Sequence, residues 1–292
     1  MMMVFQKVKR MPRVHSKLLI LGVAALCVSM LTAMMAPQNG DKVKVFYGQD
    51  RNIKFVMSGR AGNLTLLATD QEEGFISANY QKGSGYVRFD RQNQTIECRS
   101  RIPYTLNRLS KHIQTVAPVV EAQIPKNAEL DVHVNVTSMG LGSLDFTDLN
   151  ISKFKFDVNY GDVDISFPTQ NTSIVRHPAK IHLMTGDLEI NGLANLMADK
   201  VNINGGIGEI SIDFGTRLHK DMEVKIDHDI GAMEVFIPKG TKVLVFGTSR
   251  DLAPFGFIKQ EKGWQAEVFH ERSPTLTLKM KGPLGDLKIH WQ

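Results

Sequence analysis

Cysteine is nearly absent from this chain, and its scarcity excludes a fold stapled by disulfides. The two cysteines among the 292 residues are Cys27 and Cys98. Cys27 lies inside an apolar run, so Cys98 alone would remain in an exported body, and one thiol cannot form an intramolecular disulfide. The fold must rest on its own core. We expect Cys98 to be a small buried hydrophobic residue rather than a reactive thiol.

The sequence motifs of several enzyme classes are also missing. The chain has no nucleophile elbow, no phosphate-cradling glycine loop, no zinc-type cysteine set and no His-Glu-x-x-His sequence. We therefore expect a protein that is not an enzyme, without a cofactor or a metal.

The chain has no net charge beyond its first 17 residues. The net charge is +5, and five positive charges without any acid lie before residue 18, at Lys7, Lys9, Arg10, Arg13 and Lys17. The remainder of the chain is therefore neutral. A neutral body argues against a protein that neutralises many phosphates, so we do not expect nucleic acid as a partner.

One apolar run, residues 18–36, contains no charged residue. Its 19 residues would rise roughly 29 Å as a helix, which is enough to cross a bilayer. The basic segment 1–17 precedes it, so the positive-inside rule keeps that segment in the cytoplasm and places the body outside the cytoplasmic membrane. Cleavage signals are poor, since a cut after Ala33 would put Leu31 at the minus-three position. We favour an uncleaved single-pass anchor over a removed signal peptide.

A short pattern recurs along the chain: a glycine, a small or polar residue, and then an apolar–polar–apolar triplet. We interpret its glycines as tight turns between two strands, because glycine tolerates a positive φ. From the second copy to the sixth, the steps are 19, 25, 22 and 23 residues, and a nearly constant period in the twenties is typical of a solenoid. The seven glycines are Gly62, Gly142, Gly161, Gly186, Gly208, Gly231 and Gly285.

Each repeat has the alternation of two strands that bury one face. Residues 154–160 alternate apolar and polar side chains before Gly161, and residues 163–167 alternate after it. Alternation at period two predicts one buried and one solvated face. Stacked units share a core that no single unit could form. We therefore predict an all-β fold in which residues 124–292 form a repeat-built β-solenoid, similar to a single-stranded β-helix.

The part between the anchor and the repeats is less regular. Residues 41–118 are predicted as a β-rich N-terminal portion with one short helix, residues 105–116. In that helix Leu106, Leu109, Ile113 and Val116 fall at three- and four-residue steps.

Two groups of polar residues are candidates for chemistry. Asp164, Glu189 and Glu234 occupy equivalent outward positions, with Ser211 interrupting the series. Stacked carboxylates could bind a cation or act as a glycosidase or lyase pair, although a solvated strand face is the favoured interpretation. In the run 227–229, a strand would turn His228 away from both aspartates, so the three could not hold one metal.

Residues 242–275 are a longer excursion between the last two copies of the pattern. Phe255, Phe257 and Trp264 lie within it. These aromatic side chains are either core for the last repeat or an exposed patch for a partner.

Several stretches carry a family resemblance: IPKNAEL at 124–130, GLGSL at 140–144, YGDVDI at 160–165, GAMEVFIPKG at 231–240 and LGDLKI at 284–289. On these stretches, about residues 120–292 resemble the toast-rack and LiaF-type proteins, the cell-wall-active antibiotics response group, and related adhesin domains. The resemblance implies a non-catalytic β-solenoid linked to envelope stress. LiaF-type members restrain a membrane sensor kinase, and this chain departs from them in having one apolar segment instead of several membrane helices.

The predicted function is a non-catalytic binding or scaffolding module, anchored in the membrane through residues 18–36. Its expected partner is an envelope protein, a sensor kinase or a cell-wall polymer, and self-association into a homo-oligomer is left open. An adhesin or structural envelope protein is the first alternative. A polysaccharide lyase or hydrolase on a β-helix is the second.

Overall fold

The structure, a computed structural model, describes residues 41–46, 52–61, 63–71, 73–79, 85–90, 92–100, 119–175, 177–281 and 285–292. The basic segment 1–17, the apolar run 18–36, the predicted helix 105–116 and Gly62 lie outside these ranges. Of the helices in the described ranges, none is both long and apolar enough to cross a membrane.

Strands make up nearly all of the regular structure in the described part of the chain. The first ten strands are β1 Asp41–Phe46, β2 Asn52–Ala61, β3 Asn63–Thr69, β4 Glu73–Asn79, β5 Gly85–Asp90, β6 Thr95–Ser100, β7 Val119–Pro125, β8 Glu129–Asp145, β9 Asn150–Ser166 and β10 Ala179–Thr185. The others are β11 Leu188–Asn191, β12 Lys200–Ile207, β13 Ile210–Asp213, β14 Met222–Ile230, β15 Met233–Ile237, β16 Lys242–Phe246, β17 Phe257–Gln260, β18 Gly263–Ala266, β19 Thr275–Lys281 and β20 Leu287–Trp291. Two 3₁₀ turns, Leu193–Leu196 and Ala253–Phe255, complete this all-β architecture.

The strands form two sheets. A four-stranded sheet has the order β1-β4-β7-β3, and a large mixed sheet contains sixteen strands. In the large sheet, the repeats pair in parallel along two ladders. The first ladder runs β9-β10-β12-β14-β19-β16, and the second runs β9-β11-β13-β15-β20. Strand β9 belongs to both ladders, because its residues before Gly161 pair with β10 and those after Gly161 pair with β11.

The register brings equivalent residues of successive repeats side by side. In the first ladder Phe156 pairs with Ile181, and Ile181 pairs with Ile203. In the second ladder Ile165 pairs with Ile190 in the same way. All of these side chains are buried, and full burial of such a side chain stabilises the fold by about 1.5–3 kcal/mol. The apolar positions of the alternating pattern therefore form continuous columns through the core.

Asparagine side chains satisfy the backbone at the corners between repeats. The Asn171 amide nitrogen donates to the carbonyl oxygens of Ile151 and Leu196, at 2.8 and 3.0 Å, and its oxygen accepts the Ile151 N–H at 2.9 Å. In the next repeat, the Asn195 amide donates to the Phe167 carbonyl at 2.8 Å. Corner backbone groups that leave the ladders are thus paired with side chains instead of water.

The excursion after β15 extends the sheet and covers the last repeat. Strand β16 pairs in parallel with β19, and β18 and β17 continue the sheet in antiparallel fashion. The indole of Trp291 in β20 donates to the Phe255 carbonyl at 2.7 Å. Phe257 is only 3% exposed, while Phe255 and Trp264 are partly buried against the core. Phe257 is therefore core of the last repeat, while Phe255 and Trp264 pack against that core and stay partly exposed.

Cys98 in β6 is the small buried hydrophobic residue that was predicted. It is 1% exposed, and burial raises the pKa of its thiol to about 12. A thiol so far from ionisation is not a nucleophile at neutral pH.

Candidate binding surface: an acidic groove beside a glycine column

A column of glycines joins the two ladders. Its members have positive φ values, a range that residues other than glycine rarely adopt. The values are 141° at Gly161, 128° at Gly186, 142° at Gly208 and 135° at Gly231. A Cβ added to Gly186 would lie 1.9 Å from the Gly161 carbonyl oxygen, and one on Gly208 would lie 1.9 Å from the Gly186 oxygen. The backbone of one repeat thus fills the space where the next repeat has no side chain.

The column continues to the last repeat but does not include Gly142. A Cβ on Gly285 would meet the Gly231 carbonyl oxygen at 2.0 Å. Gly142 instead pairs with Val163 inside the second ladder, and Leu141 pairs with Asp162. The predicted turn at Gly142 is therefore wrong. The register shifts by one residue between Ser138 and Leu141, which leaves Met139 and Gly140 opposite Gly161. The sequence pattern permits both registers, since glycines stand at both positions.

An open groove of about 510 Å³ lies along the outer face of the second ladder. Its lining contains six carboxylates and no lysine or arginine. The carboxylates come from two rows, one directly after the column glycines and one two residues further along each strand. The first row is Asp162, Asp187 and Glu209, and the second is Asp164, Glu189 and Glu234.

The second row has the stacking that the sequence predicts. Asp164 pairs with Glu189, Glu189 with Ser211, and Ser211 with Glu234. Glu234 then pairs with Lys288 in the last strand, β20. Because parallel strands lie about 4.8 Å apart, these outward side chains form one line across the repeats.

The first row was missed by sequence analysis, although its residues follow the pattern glycines directly. The Asp162 carboxylate accepts the Asp187 N–H at 3.2 Å, and the Asp187 carboxylate accepts the Glu209 N–H at 2.9 Å. Each of these two side chains therefore ties its repeat to the next and is held in place. The recurring acid after the glycine is the signal that could have identified the row.

Asp164 and Glu189 share one neutral partner. The Asn191 amide donates to Asp164 at 3.3 Å and to Glu189 at 3.0 Å. Burial, followed by the negative charge of Glu189, raises the pKa of the Asp164 carboxyl. The Asn191 amide therefore holds the two carboxylates in place by hydrogen bonds, and it does not neutralise their charge.

Among the described residues, an ion pair with a groove acid forms only at the C-terminal end of the groove. Lys288 forms an ion pair with Glu234 at 2.6 Å, and its hydrogen bond lowers the pKa of the Glu234 carboxyl. Within the described ranges, the other five carboxylates form no ion pair. Most of the groove acids thus have no ion-pair partner among the described residues, although the pKa of Lys288, raised first by Glu234, is also raised by the charge of Glu209.

The Asp-His-Asp run does not form a site. His228 is 1% exposed, and its Nδ1 lies 3.1 Å from the Gly205 carbonyl oxygen in the core. Asp227 faces outward and pairs with Lys281 at 3.3 Å. The expectation that His228 faces away from its neighbours is confirmed. In the described part of the chain, no group of three or more His, Cys, Asp or Glu residues could hold a metal ion.

No family model matches the chain, and no curated protein matches it in sequence. Among solved structures, it is similar to a candidate cell adhesion protein from Clostridium sporogenes, with 10% identity, a TM-score of 0.39, and coverage of 87% of this chain and 100% of that one. It is also similar to a candidate adhesin from Bacteroides fragilis, with 12% identity, a TM-score of 0.37, and coverage of 87% and 98%. TM-scores this low carry no argument about function. The toast-rack and LiaF-type resemblance stays a prediction.

Proposed function

We propose that this chain is a non-catalytic binding module of the cell envelope, built as a β-solenoid and anchored by residues 18–36. In this proposal residues 1–17 stay in the cytoplasm and the β-rich body lies outside the cytoplasmic membrane. Two in-register parallel ladders that share columns of buried residues support the solenoid. The charge-free run and its basic flank support the anchor and its orientation.

The observation that carries the binding function is the groove. Its acids lie on strands and not on loops, so the stacked backbone fixes their spacing. Like charges on neighbouring strands repel one another and cost stability. A rigid surface on which these like charges have few basic partners is suited to a cationic partner. The partner class is an envelope protein, a sensor kinase or a cell-wall polymer that presents positive charge.

A hydrolase is the second candidate function, and one observation favours it. Asp164 and Glu189 are neighbouring carboxylates, and the pKa of Asp164 is raised, as it is in general acids of glycosidases. The role of an adhesin or structural envelope protein would use the same groove for attachment.

The test is partner capture from living cells. The full chain carries an affinity tag, cells are crosslinked with and without cell-wall stress, and a variant with Glu189→Gln and Glu209→Gln serves as the control. The proposal expects a defined envelope component that the double variant recovers much less. Equal recovery by both chains, or recovery of cytoplasmic proteins alone, would contradict it. A loss of polysaccharide cleavage in Asp164→Asn would establish the hydrolase instead.

A further inference from the structure

An exposed apolar row borders the acidic groove. Tyr160, Ile207 and Ile230 are large apolar residues that are 49%, 54% and 45% exposed. Each stands directly before a column glycine, and Thr185 occupies the same place in the repeat between the first two.

The register of the first ladder aligns these residues in one row, in which Thr185 separates Tyr160 from Ile207 and Ile230. Thr185 pairs with Tyr160 on one side and with Ile207 on the other, and Ile207 pairs with Ile230. With strands about 4.8 Å apart, the row spans roughly 14 Å across four repeats. Exposed apolar side chains that are grouped on an otherwise polar surface mark interaction sites.

The acids of the groove lie on the other side of the same glycines. Tyr160 and Asp162 flank Gly161, and Ile207 and Glu209 flank Gly208. Apolar and acidic residues therefore run in parallel along the glycine column, one residue away from it on either side. A ligand that follows the column would meet both.

We propose that this surface binds a cationic, amphipathic polypeptide segment, which places apolar side chains on the row and lysine or arginine in the groove. The inference rests on the proposed binding function and names the class of partner. Charge complementarity selects the cation, since five of the six groove acids have no ion-pair partner in the described ranges. Aliphatic side chains at Ile207 and Ile230 favour apolar polypeptide side chains over sugars or a bare metal ion, neither of which would gain from covering them.

The test uses the full chain, purified in mild detergent, and three labelled synthetic peptides. One peptide alternates lysine and leucine, one alternates glutamate and leucine, and one alternates lysine and glycine. Fluorescence anisotropy at low salt measures each Kd. The wild-type chain is expected to bind the lysine–leucine peptide at least about tenfold more tightly than either of the others, and added salt is expected to weaken that binding.

Two variants separate the row from the groove. The double variant Ile207→Thr with Ile230→Thr places at both positions the residue that Thr185 supplies in the same row. It is expected to raise the Kd of the lysine–leucine peptide about tenfold and to leave the Kd of the lysine–glycine peptide unchanged. Glu189→Gln with Glu209→Gln is expected to weaken both lysine peptides. The controls are Ile258→Thr and Glu267→Gln, which alter an equally exposed isoleucine and an exposed acid far along the chain from the row.

Three results would overturn the inference. They are no binding of the lysine–leucine peptide, equal weakening by the control variants, and self-association of the chain that only the isoleucine variant abolishes. The last result would assign the row to a second copy of the chain. If partner capture in cells still depended on Glu189 and Glu209 while the peptides failed, the proposed function would stand and only this inference would fall.

Discussion

The outer faces of the two ladders differ in charge although the same repeats build both. On the first ladder the acids have basic or polar partners: Glu223 pairs with Lys279 at 2.8 Å, Asp227 pairs with Lys281 at 3.3 Å, and Asp157 hydrogen-bonds to His182 at 2.9 Å. On the second ladder, Glu234 with Lys288 is the pair that closes a line of unneutralised acids. Backbone and core are alike, so the fold alone does not require the acidic face. The difference supports the proposal that the second face binds a cationic partner.

The glycine column separates the two faces, and breaking it has the largest expected effect. Gly186→Ala should lower the free energy of unfolding by more than about 3 kcal/mol, because it adds a Cβ 1.9 Å from a carbonyl oxygen to the strain of a positive φ. Gly215→Ala is the matched control. Gly215 also has a positive φ, of 85°, but its Cβ would have no atom closer than 3.5 Å, so a cost of about 1 kcal/mol is expected. Chemical denaturation measures the free energy of unfolding of both variants. Equal losses in the two variants would contradict the close packing of the glycine column.

Removing a corner amide should cost less. Asn171→Ala leaves buried backbone groups of Ile151 and Leu196 without a partner, and a loss of about 2 kcal/mol follows. Asn191→Ala is the control, because its amide bonds only exposed carboxylates. Thermal melts compare the two, and an unchanged melting temperature for Asn171→Ala would show that the corner does not depend on this side chain.

Charge reversal should act in opposite directions on the two faces. Glu189→Lys places a cation beside Asp164 and is expected to stabilise the fold by about 0.5 kcal/mol, since it replaces repulsion with attraction. Lys279→Glu destroys the pair with Glu223 and is expected to destabilise it by about 0.5 kcal/mol. Urea unfolding measures both variants. A loss of stability in Glu189→Lys would contradict the description of the groove as a strained, unneutralised surface.

The smallest expected effect is a pH dependence of opposite sign. The pKa of Asp164 is raised, first by burial and then by Glu189. Ionisation of Asp164 is therefore less favourable in the folded chain than in the unfolded chain. The free energy of unfolding falls as pH rises from below the unfolded pKa of Asp164 to above its folded pKa. The pKa of Glu223 is lowered, first by its hydrogen bond to Lys279, so its contribution is present above its unfolded pKa and is lost as pH falls through its folded pKa.

These two acids give a matched pair of neutral variants. At neutral pH Asp164→Asn should unfold at a higher urea concentration than the wild type, and Glu223→Gln at a lower one. Both differences should disappear on acidification, where both carboxyls of the wild-type chain are protonated. Differences that persist in acid would assign the effects to packing instead of charge.

Sequence alternation predicted much of the fold, for physical reasons. Apolar residues such as Phe156 and Ile181 recur at period two within a strand and at one repeat between strands, so both the buried face and the all-β class could be inferred. The register at Gly142 could not, because Gly140 offers an equally good turn and long-range pairing decides between them. The first acidic row, Asp162, Asp187 and Glu209, and the apolar row were also missed. Alternation identifies which residues leave the core, but it does not say which of the exposed residues from different repeats become neighbours.

The most direct test of the account is crosslinking in living cells from each face of one repeat. A photo-crosslinking residue replaces Glu189 in β11 of one chain and Lys180 in β10 of another, both of which are exposed. The two chains share every other residue, so expression and location are matched. The account predicts a crosslinked partner from position 189 and little from position 180. Equal crosslinking from both positions, or crosslinking from position 180 alone, would contradict the assignment of binding to the acidic face.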